Sequence, residues 1–305
     1  MTLTELKYVV AVAEERHFGR AAERCFVSQP SLSAAIRKLE DELSVQIFER
    51  GHGEILVTPL GERIVAQAGR VLSEAARVTA IARASADPLS GPLHLGVIHT
   101  IAPYLLPGLV AELRHLTPKM PLDIEENMTT TLDQMLRSGQ IDAAILALPY
   151  EAPGVDLIPL YEEEFKVIVP KGHPWARRRA VDIDELDGEH LLLLSIGHCF
   201  RDQVLEACRE FSRPPSSGKQ GNSLETIRSM VASGIGISVM PATALVGSHA
   251  SPLVRAIDFR APRPSRRIVL AVRQPFARMA AVEAVAEAIR RLELPVRFQG
   301  DAPLK

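Results

Sequence analysis

The hydrophobic pattern changes character once along this chain, close to residue 90. Beyond that point short apolar runs alternate with helical ones. LHLGVI (93–98), LDIEEN (122–127) and IDAAILAL (141–148) have the length and texture of strands. YLLPGLVAELRHL (104–116) and TLDQMLRSG (131–139) carry apolar residues at helical spacing, the second stopping at glycine. FKVIVP (165–170), HLLLLS (190–195), GISVMP (236–241) and RRIVLAVR (266–273) continue as strands, and SLETIRSMVASG (223–234) and MAAVEAVAEAIRRL (279–292) as helices. Such alternation predicts right-handed βαβ units and a mostly parallel sheet. There is too much of it for one sheet of simple order, so two α/β lobes with a crossover are expected. Before residue 90 the texture is different: short helical patterns over 3–57 with one strand-like end, then a single helical stretch over 59–86. DPLSGP (87–92) separates the two regions with two prolines and a glycine.

The stretch FGRAAERCFVSQPSLSAAIRKLEDEL (18–43) predicts two helices joined by a tight turn. Ala21 and Ala22 let a second helix approach closely, Phe26 and Val27 turn the chain, Ser28 is placed to cap the second helix or the turn before it, and Pro30 suits a first helical turn. Leu32, Ile36, Leu39 and Leu43 fall on one face of the second helix. The other face carries Gln29, Ser31, Ser33, Ala34, Arg37 and Lys38: small hydrogen-bonding groups at the start, cations further along. This order suits a helix that meets base edges with its first turn and phosphates with its later ones. FERGHGEILVTPLG (48–61) reads as a short hairpin, a wing with Arg50 beside its tip.

Charge matters here only locally. The chain of 305 residues has a net charge of −2, so no global field draws it to nucleic acid, but residues 16–38 hold a net of +4. The long helix repeats Ile64, Ala68, Val71, Ala75, Val78 and Ala82 at alternating spacings of four and three, a coiled-coil seam. Packing on the neighbouring domain is the plainer use of that face. MTLTELKYVV lacks the apolar centre of a secretory signal, and no run of 18 apolar residues occurs, so a cytoplasmic location and no membrane partner are expected. Three cysteines without a CxxC pair argue against a zinc site, and no metal or cofactor is expected.

AAERCFVSQPSLSAAIRKLEDEL, followed by Phe48-Glu49-Arg50 and Val57-Thr58-Pro59, resembles the amino-terminal domain of LysR-type transcriptional regulators. The resemblance implies a winged helix-turn-helix over 1–58, a dimerising linker helix over 59–87, and a two-lobed, periplasmic-binding-protein-like effector domain over 88–305. Lobe I would take about 92–161 and 267–300, and lobe II about 162–266. Ser28, Gln29, Pro30, Ser31, Ser33, Ala34, Arg37, Lys38 and Arg50 would contact double-stranded promoter DNA, with paired heads on a pseudo-palindromic site.

The chemistry candidates lie in SIGHCFRDQVLEACREF (195–211). A cysteine on an apolar helix face is ordinarily just buried, and Cys25, beside Phe26 and Val27, is read that way. Cys199 differs, because it follows an apolar strand and Gly197-His198 and precedes Arg201 and Asp202, which places it at a helix start. A helix amino terminus and nearby cations favour thiolate, the form that attacks peroxide. Cys208 sits among Leu205, Ala207 and Phe211 and reads as buried. Nine positions along a helix are roughly 900° and 13.5 Å, whereas a disulfide needs Cα atoms within about 7 Å. If the segment is helical when reduced, bonding the two would require it to unwind. Strand ends point to His99-Thr100 and Met128-Thr129-Thr130 as further lining groups, the threonines offering hydroxyls but no charge.

The motifs SGPLHLGVIHTIAPYLLP (90–107), HPWA (173–176), GHCFRDQVLEAC (197–208) and SLETIRSMVASGIGISVMPA (223–242) resemble one peroxide-sensing subgroup of the LysR-type regulators. The resemblance implies that Cys199 is oxidised by hydrogen peroxide to a sulfenic acid and condenses with Cys208 to a reversible disulfide. It places Thr100 and Thr129 in the peroxide pocket and His198, Arg201, Asp202 and Arg266 around the sulfur. Met128, Thr130 and the segment SRPPSSGKQG (212–221) depart from the subgroup's pattern. Implied too are a homodimer or homotetramer, activation of oxidative-stress genes through RNA polymerase, and a glutaredoxin or thioredoxin system as reductant. The stoichiometric use of the thiol makes this a switch and not an enzyme. Two alternatives stand beside it: a regulator triggered by a small organic ligand between the lobes, and a thiol peroxidase that turns over.

Overall fold

A computed structural model describes residues 1–50, 55–84, 87–207 and 220–298. The chain divides near Ala86 into two compact units. In the first, α1 (Leu3–Glu15), α2 (Phe18–Arg24) and α3 (Gln29–Leu43) are followed by a hairpin of β1 (Phe48–Arg50) and β2 (Ile55–Val57) and by the long α4 (Pro59–Ala84). Each start has a chemical cause. Thr2 and Glu5 form a reciprocal capping box on α1; the His17 ring accepts from the first amides of α2; the Ser28 hydroxyl accepts from the Ser31 amide and caps α3. Leu6, Val9 and Val12 of α1 close the core with Ala21, Ala22, Leu32, Ile36, Leu39, Ile47 and Phe48.

Two expectations change in this unit. Leu43 is 37% exposed, because the helix ends at left-handed Ser44 before that position reaches the core. The seam on α4 is partly spent at home: Ala68 is buried, and Ile64 and Val71 are partly buried, against the unit's own core, whereas Val78 is exposed. Ala82's side chain lies outside the described residues.

The second unit runs β3 (Leu93–Ile98), α5 (Ala102–Leu116), β4 (Leu122–Asn127), α6 (Thr129–Ser138), β5 (Ala143–Ala147), β6 (Val155–Pro170), β7 (Ala180–Val181), β8 (Leu191–Leu194), α7 (Cys199–Ala207), β9 (Gln220–Gly221), α8 (Leu224–Ala232), β10 (Ile237–Pro241), β11 (Val254–Phe259), β12 (Ser265–Arg273), α9 (Met279–Arg290) and β13 (Arg297–Phe298). Strand order is β4-β3-β5-β12-β6-β10-β8-β9, with β11 and β13 also against β6. Two cores result. Lobe I is built on Leu95, Val97, Leu109, Ile145, Val269, Val282 and Ile289. Lobe II is built on Phe165, Val167, Leu192, Phe200, Ile227, Val239 and Ile257.

The strand β6 is longer than its sequence suggests. FKVIVP reads as a strand by itself, but the whole of Val155–Pro170 is extended: its first part pairs with β12 in lobe I and its second with β10 and β11 in lobe II. The acidic run Glu162-Glu163-Glu164 hides this continuity, since three carboxylates in a row read as a solvated loop. The sheet is also less parallel than expected. Pairs inside each lobe, β3 with β4 and β5 and β8 with β10, are parallel. The crossing strands β6 and β12 meet all their described partners antiparallel. A chain that must pass from one lobe to the other and return brings its two crossings in opposite directions.

Candidate sensing site and DNA-binding face

On α3 the residues expected to face DNA occupy one continuous outer surface. Ser28, Gln29, Pro30, Ser31, Ala34, Arg37 and Lys38 are exposed and Ser33 is half-buried. The Ser28 and Ser31 hydroxyls are 2.7 Å apart. The local excess of positive charge is smaller in space than in sequence. Arg24 pairs with Glu14 at 2.6 Å, Arg20 with Glu15 at 3.4 Å and Lys38 with Glu5 at 3.5 Å, all acids from α1 outside the counted stretch. The Arg24 and Arg20 pairs are exposed, and such pairs are worth about 0–1 kcal/mol, so a phosphate can replace the carboxylate at little cost. The Arg50 side chain and the tip of the wing (51–54) lie outside the described residues.

In the second unit, Cys199 opens α7. It is a free thiol, half-buried, packed on the lobe I core. Phe200, the next residue, is 2% exposed inside lobe II, edge-on to Phe165 at 5.0 Å. The first turn of this helix therefore bridges the lobes. Gly197 has φ +103°, a conformation open to glycine, and a Cβ there would come within 2.9 Å of the Met128 sulfur. That explains the glycine two residues before the thiol. It also places Met128, the residue ahead of Thr129, against the same turn.

Arg266 of β12 organises the ground behind this turn. It is 2% exposed, and its guanidinium carbon lies 5.1 Å from the Phe200 ring centre. Nη1 donates to the Thr100 hydroxyl at 2.9 Å and Nη2 to the Thr100 carbonyl at 3.0 Å. On the opposite side Nε donates to Glu163 at 2.8 Å. Thr100, in the turn between β3 and α5, is 3% exposed. The Thr129 hydroxyl, at the start of α6, is buried and finds no hydrogen-bond partner among the described residues. A buried hydroxyl in that condition lacks the partner most such groups have.

The other expected residues have visible, different duties. Arg201 donates to the Leu194 carbonyl at 2.8 Å, tying α7 to the end of β8. Asp202 is exposed on the first turn of α7. His198 is 6% exposed, 5.7 Å from the His99 ring, whose Nδ1 lies 3.0 Å from Glu126. Burial, then the neighbouring His99, pushes the His198 pKa below the usual histidine value. A cavity of about 450 Å³ opens between the lobes beside these rings, lined also by Tyr104, Met128 and Glu225. Tyr104, on a lobe I helix, is buried among lobe II side chains and donates to Glu225 at 3.0 Å. Cys208 lies outside the described residues.

Sequence reasoning missed Glu163, Thr243 and Phe200. The signal for Glu163 existed: an acid inside a strand directly opposite an arginine of another strand. It can be seen only once the register Glu163↔Arg266 is known. Among the described residues no helix is long and apolar enough to cross a membrane, and no group of histidine, cysteine, aspartate or glutamate side chains is arranged to hold a metal ion.

Known proteins are similar to this chain along nearly its whole length. Residues 3–62 match the bacterial regulatory helix-turn-helix proteins of the lysR family, and residues 86–293 match the LysR substrate binding domain. A hydrogen peroxide-inducible genes activator from Dickeya chrysanthemi is 40% identical over 290 residues, 95% of each chain. A full-length OxyR from Pseudomonas aeruginosa, solved as a cysteine-to-aspartate variant, superposes with a TM-score of 0.81 at 46% identity over 99% of both chains. An OxyR from Corynebacterium glutamicum, a cysteine-to-serine variant with hydrogen peroxide bound, gives a TM-score of 0.65 at 36% identity over 95% of this chain and 92% of that one. Both domain types recur together in proteins similar along their full length, and the chain belongs to the LysR family of bacterial transcription regulators and, within it, to the OxyR group.

Proposed function

We infer that this chain is a transcription regulator that senses hydrogen peroxide through Cys199. The observation that carries the reading is the placement of that thiol: half-buried on lobe I at the start of α7, one residue before a phenylalanine held in lobe II, with the Arg266–Thr100 pair behind the same turn. The Cys199 sulfur attacks one oxygen of the peroxide and the O–O bond breaks. The departing oxygen leaves as hydroxide and takes up the thiol's proton, so thiol and peroxide become sulfenic acid and water. The buried hydroxyls of Thr100 and Thr129 are the groups suited to hydrogen-bond the peroxide and the departing oxygen. Condensation with the Cys208 thiol then expels a second water and leaves a disulfide, which a cellular dithiol reductant (a glutaredoxin or thioredoxin system) returns to two thiols.

Residues Cys199–Ala207 form a continuous helix. At about 1.5 Å per residue its far end stands beyond disulfide reach of its start, so the bond forms only as α7 unwinds. Closing so short a loop contributes about 2–3 kcal/mol. Extracting Phe200 or Val204 from the lobe II core would cost about 1.5–3 kcal/mol each. The two are of similar size, as a reversible switch requires. The refolded segment repacks the effector domains of a homodimer or homotetramer in the cytoplasm, changes how Gln29, Ser31, Ser33 and their neighbours meet promoter DNA, and alters recruitment of RNA polymerase.

The test is a count of free thiols by mass spectrometry, before and after one equivalent of hydrogen peroxide, with linked peptides identified. The expected result is a Cys199–Cys208 link within seconds and Cys25 still free, and no link in Cys199→Ser, which keeps its DNA binding. A second reading, a regulator triggered by a small organic ligand, draws on the 450 Å³ cavity lined by His99, Tyr104, Glu126, His198 and Glu225. Three intact thiols after peroxide would transfer the trigger to that cavity.

A further inference from the structure

We propose that Glu163 is a positioning residue for the peroxide chemistry: through Arg266 it fixes the direction in which Thr100 offers its hydroxyl. The proposal rests on the sensing role of Cys199 and goes beyond it to a residue separated from the peroxide by two others, Arg266 and Thr100.

The Glu163 and Arg266 side chains are both 0% exposed. They sit directly opposite each other on β6 and β12, so the backbone register, and not a flexible reach, brings them together. Arg266 gives Glu163 two of its nitrogens, Nε and Nη2, each at 2.8 Å from the same carboxylate oxygen. The other carboxylate oxygen is taken by Thr243, whose amide donates at 2.8 Å and whose hydroxyl donates as well. Thr243 lies on the short 3₁₀ turn Ala242–Leu245 after β10 in lobe II. With both oxygens engaged, the carboxylate has no second orientation.

The consequence passes to Arg266 because a guanidinium is planar and its five N–H groups form a fixed fork. Once Nε is held by Glu163 and the plane lies over Phe200, Nη1 and Nη2 can point only one way. They point at the Thr100 hydroxyl and carbonyl. The guanidinium has no acceptor, so the Thr100 oxygen must accept from it. The hydroxyl's own hydrogen is then left to be donated elsewhere. A hydroxyl held in this manner has its hydrogen directed away from the guanidinium and free to donate, the kind of group that stabilises negative charge growing on the oxygen that departs as hydroxide. No proton is transferred from Thr100; the thiol's proton still ends on that oxygen. A chain of contacts thus runs from Thr243 in lobe II through Glu163 and Arg266 to Thr100 in lobe I.

The test compares two reactions of the same sulfur in the full-length chain. The rate of Cys199 oxidation by hydrogen peroxide is followed by stopped flow, and the rate of its alkylation by iodoacetamide, which needs no departing hydroxide, is measured alongside. In Glu163→Gln the peroxide rate is expected to fall about 10- to 100-fold, the range expected when a reacting group is misplaced by up to an ångström, while alkylation changes by less than about threefold. Thr243→Val is expected to give a smaller loss of the same kind, and Thr243→Ser to restore the rate, and this pair decides the matter if Glu163→Gln does not fold. Equal changes in both reactions would assign Glu163 a purely structural role and overturn the proposal, as would an unchanged peroxide rate in Glu163→Gln or, where that variant fails to fold, in Thr243→Val. A wild-type Cys199 inert to peroxide would remove the sensing role and Glu163's part in it together. A reactive wild type with an equally reactive Glu163→Gln removes only the latter.

Discussion

The DNA-binding face and the sensing site use charge in opposite ways. On the first, Arg20 and Arg24 lean on acids of α1 in exposed pairs that solvent screens. In the second, Arg266 and Glu163 are shut away from water and joined to two threonines. An exposed pair contributes about 0–1 kcal/mol and gives up its partner easily; a buried one, once a member is removed, costs about 3–5 kcal/mol. The difference matches the two tasks. A surface that must grip and release phosphates needs cations that exchange partners. On the proposed role of Thr100, a pocket that presents one hydroxyl to a molecule as small as peroxide needs a cation that cannot move.

The largest effect that would sharpen this contrast is expected of Arg266→Ala. It leaves Glu163 buried and unpaired, and the sensing unit should lose about 3–5 kcal/mol in urea unfolding, with no change in the intrinsic stability of the separate helix-turn-helix unit. A loss under about 1 kcal/mol would make the pair no different from those on α1. Of intermediate size is Arg37→Ala. It should weaken binding to all DNA sequences alike and lower the slope of log affinity against log salt by about 1, while peroxide oxidation of Cys199 proceeds unchanged. A selective loss at one operator would mean that Arg37 reads bases. The smallest concerns His198. Its pKa is depressed in the fold by burial and by His99, so the unfolded chain takes up the proton first as pH falls. Its contribution to stability is complete above the ordinary histidine value of about 6.5 and declines as pH drops from there through the folded value. His198→Gln should flatten that part of the stability-against-pH curve. A curve of identical slope in the variant would discard the assignment.

Legibility in the sequence followed the same division. The DNA face was readable because Ser28 to Lys38 is one helix start: the cap, the apolar stripe and the polar surface all occur within a dozen positions. What escaped was what the fold adds from elsewhere, the acids Glu5, Glu14 and Glu15 that temper the local charge. In the sensing unit, Cys199 and the threonines were singled out from strand ends, a glycine and family motifs. Glu163 was not, because its neighbours Glu162 and Glu164 made it look solvated and its partner is 103 positions away. Periodicity reports which face of an element is buried; it does not report what lies opposite. That depends on register, and β6 was not legible as one strand at all.

The buried pair also bears on how such a chain can change over generations. Glu163 and Arg266 face each other across a register that fixes both, with no solvent to receive a charge left alone. Replacing both by apolar residues of similar volume can be neutral for folding, whereas either replacement by itself is costly. A lineage therefore cannot leave this arrangement one residue at a time without passing through a weakened intermediate. Positions 163 and 266 should drift together or stand still, however freely the loops around them vary.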